Sequence, residues 1–95
     1  MSRPPALSEA EAAAHAASVP GWSHDHPFIR RSYELDNFRA ALAFMNRVGM
    51  LAEEMNHHPD FHLTSWNRVE LVLSTHDVGG LTTLDFDLAR KIDAL

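Results

Sequence analysis

Between positions 37 and 55 the residues Phe38, Ala41, Leu42, Met45, Val48, Gly49, Ala52 and Met55 recur at three- and four-residue steps. That spacing lays them along one face of an α-helix. It predicts a long amphipathic helix from about Asn37 to Met55, with Asp36 as its N-cap. A stripe this broad needs a flat apolar partner, such as a sheet. At 95 residues the chain has room for one domain, spanning 1–95, and for one core.

The flanking segments supply such a sheet. From Phe28 to Leu35, Ile29, Tyr33 and Leu35 alternate with Arg30, Ser32 and Glu34, the period of a half-buried strand, although Arg31 falls on the apolar side. Trp22 to Asp25 can pair with it. Beyond Pro59, Phe61 to Ser65 and Val69 to Thr75 form a second pair, with Val69, Leu71 and Leu73 on one face. If the last strand continues, His76 shares its other face with Glu70, Val72 and Ser74. Ser8 and Glu11 stand at capping-box spacing and predict a first helix from about Glu9 to Ser18, after a frayed tail over residues 1–7. Gly79-Gly80 ends the last strand, and Thr82 opens a final helix expected to bury Leu84, Leu88, Ile92 and Leu95. The order helix, two strands, long helix, two strands, helix implies an α+β fold, a four-stranded antiparallel sheet with helices packed on one face.

Composition removes several kinds of chemistry. The chain has no cysteine, which excludes disulfides, thiolate metal sites and a cysteine nucleophile. Eight basic residues are scattered among thirteen acidic ones, for a formal charge of −5, so direct nucleic-acid binding is not expected. No apolar run approaches the roughly eighteen residues of a membrane span, and the opening residues lack the pattern of a leader. A soluble, cytoplasmic protein is the expectation.

What remains is histidine, aspartate and glutamate. Four of the seven histidines lie between positions 57 and 76. In Glu53-Glu-Met-Asn-His57-His58-Pro59 the proline disfavours helical geometry at His58, so the two rings leave a fixed corner in different directions. His76 lies beside the glycine pair, and a strand running past the helix end would bring all three rings to one cleft. Each also has a plainer reading. His57 suits a cap on the helix dipole, and a histidine at a strand end is commonly a solvated edge. Adjacent His57 and His58 are poorly placed to hold one metal ion together, even with His24 and His26 nearby, so no metal site is expected. Glu53 precedes His57 by one turn and is expected to pair with it. Asp85 follows Thr82 at capping distance, so it suits a helix-capping partner as well as a catalytic acid, and the structural role is the one expected. Trp22 and Trp66 are core or edge residues by default, yet an indole also offers a flat wall to a planar heterocycle.

Glu53-x-x-x-His57-His58-Pro59, then Trp66, Ser74-Thr75-His76, Gly80-Leu81 and Asp85, resembles the signature of the pterin-4a-carbinolamine dehydratases. Upstream, Gly21-Trp22, Tyr33 and the Phe38, Phe44-Met45, Val48 pattern resemble the same family, so the likeness runs from about Gly21 to Asp93. It implies an enzyme that dehydrates 4a-hydroxytetrahydropterin to quinonoid dihydropterin, with no metal or organic cofactor. The catalytic residues it implies are His57, His58 and His76, with Glu53, Trp22, Asp85 and Trp66 as substrate-binding positions. It also admits non-catalytic relatives, a transcriptional coactivator or an assembly factor. Sheet edges and the broad helix stripe add an expected homodimer or homotetramer.

Overall fold

In a computed structural model of the chain, residues 3–95 are described. Helix α1 (Glu9–Ala16) opens on the expected capping box. Ser8 Oγ accepts from the Glu11 N–H, and the Glu11 carboxylate accepts from the Ser8 N–H. The helix stops two residues before the expected Ser18, because the Ser18 hydroxyl and amide both turn back onto the His15 carbonyl. Strands β1 (Ser23–Asp25) and β2 (Phe28–Glu34) follow, then helix α2 (Phe38–Met55), strands β3 (Asp60–Thr64) and β4 (Arg68–Leu73), a 3₁₀ turn (His76–Val78) and helix α3 (Thr83–Asp93).

All neighbouring strands are antiparallel, in the order β1-β2-β4-β3. The α+β architecture expected from the pattern is therefore the one observed. Register puts Ile29 opposite Leu73, Arg31 opposite Leu71 and Tyr33 opposite Val69, with Phe61 and Leu63 on the far side of β4. The aliphatic members of this row join Ala41, Val48, Phe86, Leu88, Ala89 and Ile92 in a single core. Arg31, the polar exception in the row, escapes at the rim. Its guanidinium lies 4.9 Å from the Tyr33 ring centre and bonds Asp93 at 3.0 Å.

Four expectations need correction. The N-cap of α2 is Asn37, not Asp36, because Asn37 takes the extended backbone and its Oδ1 accepts from the Ala40 N–H. The α2 stripe is only partly covered: Ala41, Val48 and Ala52 are buried, while Phe38 and Leu42 remain exposed. In α3, Phe86 and Ala89 are buried beside Leu88 and Ile92, and Leu95, beyond the helix end, is exposed. Finally, the segment read as a frayed tail is tied down over its described part. The Leu7 N–H bonds the Leu81 carbonyl at 2.8 Å, and Arg3 bonds Asp77 and Asn56. Met1 and Ser2 lie outside the described residues.

Candidate active site

The C-terminus of α2 aims the paired histidines. Asn56 takes the left-handed conformation at φ 49°, and the His57 N–H reaches back to the Ala52 carbonyl at 3.0 Å, the bond of a Schellman cap. Asparagine tolerates that backbone better than most residues. This turn, together with Pro59, sends His57 inward and His58 outward.

His57 is 4% exposed, and its Nε2 lies 2.6 Å from Oδ1 of the fully buried Asp85. The other oxygen of Asp85 accepts from Thr75 Oγ1 and from the Thr82 N–H, both at 2.9 Å. Thr75 Oγ1 donates to Asp85, so the 2.9 Å contact between the two threonine hydroxyls has Thr82 as donor. Asp85 thus closes the capping box of α3 and holds His57 with the same carboxylate. An ionised carboxylate can only accept, so this contact selects the tautomer of His57 that carries its hydrogen on Nε2.

His58 has the opposite setting. Its side chain is 56% exposed, and Nε2 lies 2.6 Å from Glu53 Oε1. The expected pairing of Glu53 with His57 is therefore replaced by Glu53 with His58. The helix ends at Met55, so the four-residue relation between positions 53 and 57 is broken by the left-handed turn at Asn56.

The third ring arrives from β4. That strand ends at Leu73, earlier than the expected Thr75, and His76 opens an exposed 3₁₀ turn rather than extending the strand. The turn is closed by left-handed Gly79 (φ 68°), where any side chain would be strained, and by a bridge between Thr75 and Gly80. His57, His58 and His76 line one cleft of about 150 Å³ together with Arg3, Ser74, Thr75 and Asp77. A larger depression of about 460 Å³ beside Gly21, Ser23, Arg30 and Glu70 holds no imidazole. Among the described residues no three His, Asp or Glu side chains gather in a way that would hold a metal ion.

Neither tryptophan lines the histidine cleft. Trp22 is buried, and its indole N–H donates to Asp93 at 2.9 Å, fixing the end of α3. Trp66 sits in the turn between β3 and β4, 61% exposed, where it and Ser65 both have positive φ. Two further lining residues, Arg3 and Asp77, had no signal in spacing or period. The Arg-Pro-Pro run at positions 3 to 5 is the only local hint, since prolines stiffen an arm that has somewhere to go.

Comparison with known proteins fits this geometry. A family model described as pterin 4 alpha carbinolamine dehydratase matches residues 5–95. A protein of Chloroflexus aurantiacus, whose name carries pterin-4-alpha-carbinolamine dehydratase as an inferred activity, is 50% identical over 91 residues, 96% of this chain and 97% of the relative. One from Thermomicrobium roseum, named the same way, is 46% identical over 94% of this chain and 95% of its own. The crystal structure of a Brucella melitensis transcriptional coactivator/pterin dehydratase superposes with a TM-score of 0.85 at 34% identity, over 94% of this chain and 96% of that one. A pterin dehydratase-like RuBisCO assembly factor of the alpha-carboxysome shares the fold at a TM-score of 0.60 and 19% identity, over 77% of this chain and 83% of that one. The chain belongs to the pterin 4 alpha carbinolamine dehydratase family.

Proposed function

We propose that the chain dehydrates 4a-hydroxytetrahydropterin to quinonoid dihydropterin and water, as a step of tetrahydropterin recycling in the cytoplasm. The observation that carries this reading is the convergence of three imidazoles on one cleft, one of them held at Nε2 by a buried carboxylate. The reaction needs an acid to protonate the departing 4a-hydroxyl and a base to take a proton from the ring. The C–O electron pair leaves with the new water, and the ring proton goes to the base. Histidine, whose unperturbed pKa is about 6.5, supplies both forms near neutral pH.

In this reading His57 and His76 are the acid/base pair at the 4a-hydroxyl. His58 binds and orients the pterin, and Glu53 holds the His58 ring. Asp85 fixes the His57 tautomer from behind and touches no substrate. Trp22 stabilises the end of α3, and Trp66 meets a pterin only if a second chain brings its cleft to that turn. No metal or organic cofactor takes part in the scheme.

Stopped-flow mixing with chemically generated 4a-hydroxytetrahydropterin tests the activity. Loss of the carbinolamine absorbance well ahead of the buffer rate is expected, and decay at the buffer rate overturns the reading. A non-catalytic assembly or coactivator role is the second reading. It is favoured by the exposed Phe38, Leu42 and Met50 on α2 and by the names of the two solved relatives. The same apolar surface supports a homodimer or homotetramer. Sedimentation at micromolar concentration should show one of these, and a monomer refutes the assembly.

A further inference from the structure

The guanidinium of Arg3 joins two loops that are far apart in sequence. Nε donates to Asp77 Oδ2 at 3.1 Å, and Nη2 donates to the backbone carbonyl of Asn56 at 2.6 Å. Asn56 immediately precedes His57-His58, and Asp77 immediately follows His76. One planar cation therefore ties together the two backbone corners that deliver all three imidazoles. We propose that Arg3 is a positioning residue, a clamp that sets the separation between His76 and the His57-His58 pair.

The segment that presents Arg3 is suited to this. Pro4 and Pro5 fix their own φ angles and restrict the residues before them, which lowers the entropy lost when the arm docks. The arm is anchored where the Leu7 N–H bonds the Leu81 carbonyl, just ahead of the Ser8 cap of α1. From there it runs back past Gly80, where an added Cβ would come to 4.0 Å from the Ala6 Cβ, and on to Asp77.

The turn it reaches needs such a tie. His76–Val78 is a single 3₁₀ turn closed by backbone bonds of 3.1 and 3.2 Å, and all but one of its residues are exposed. Among the described residues, Arg3 makes the one side-chain hydrogen bond to it. The Asp77 side chain is 66% exposed, so the ion pair contributes little to global stability. Its effect is local, on the order of the turn and hence on the placement of the His76 ring. Lysine cannot replace arginine here, because a single ammonium does not present a planar fork to two acceptors in different directions.

The test combines turnover with amide hydrogen exchange in the full chain and in its Arg3→Ala and Arg3→Lys variants. The turnover arm rests on the dehydratase reading; the exchange arm does not. In Arg3→Ala, kcat is expected to fall about tenfold to a hundredfold with KM moved less, the cost of a small misplacement of a reacting group. Exchange at the Val78 and Gly79 amides should quicken about fivefold, while β4 amides keep their native rates. Arg3→Lys should restore neither. Native exchange at Val78 and Gly79 in Arg3→Ala overturns the clamp. So does acceleration spread evenly through β4, which would mark a general stabilising contact. If the native chain itself fails to dehydrate the carbinolamine, the proposed function falls and the exchange result alone decides the clamp.

Discussion

His57 and His58 share a peptide bond and little else. His57 is enclosed, and its carboxylate partner Asp85 is fully buried and bonded to two further donors. His58 stands in solvent with a partner, Glu53, whose side chain is 76% exposed. The Nε2 to oxygen distance is 2.6 Å in both pairs. Equal geometry in unequal surroundings has unequal consequences. A buried charge left without its partner has no water to replace it, whereas an exposed one is resolvated at little cost. The inner pair is thus structural support and tautomer control at once, and the outer pair is an adjustable contact at the mouth of the cleft.

The largest expected effect is on turnover. His57→Gln should lower kcat by about a hundredfold to ten-thousandfold, the usual worth of a positioned acid or base. His58→Gln should act mainly on KM. Equal losses in kcat for the two variants would break the proposed division between an inner catalytic ring and an outer binding ring.

The partners extend the contrast to stability. Asp85→Ala strands three donors, the His57 Nε2–H, the Thr75 hydroxyl and the Thr82 N–H, and should destabilise the chain by about 3 kcal/mol. Glu53→Gln should cost less than about 0.5 kcal/mol. Urea unfolding of the two variants side by side measures the difference, and comparable midpoints would show that burial does not separate the pairs.

A smaller effect concerns a titrating group at the far rim. Burial pushes the Tyr33 phenol from 10.0 up to about 12. A raised pKa for an acid means that the folded chain retains the proton longer than the unfolded one. The associated stability is complete below pH 10 and is lost as the pH rises from there through about 12. Unfolding midpoints should drop across that window, and Tyr33→Phe should flatten the drop.

Much of the fold was legible because it depends on short-range periods. The step of three and four residues marked α2, alternation marked β2 and β4, and two capping boxes marked the starts of α1 and α3. Each signal is local, so each survives without knowledge of the partner. The errors arose where two local signals competed or where burial depended on distant groups. Asn37 outcompeted Asp36 as cap by one residue, and Leu95 lost its expected burial because α3 ends at Asp93.

The site divides in the same way. The sequence by itself singled out the histidines as candidate reactive groups, set Pro59 against a common direction for His57 and His58, and placed Asp85 at capping distance from Thr82. Only the tertiary structure decided which carboxylate each histidine meets. The left-handed turn at Asn56 hands Glu53 to His58, and the packing of α3 brings the capping Asp85 under His57. It likewise brought Arg3 across to Asp77, seventy-four positions away. Side-chain partners across such separations are chosen by the packing of whole elements against a common sheet, and no local period encodes that choice.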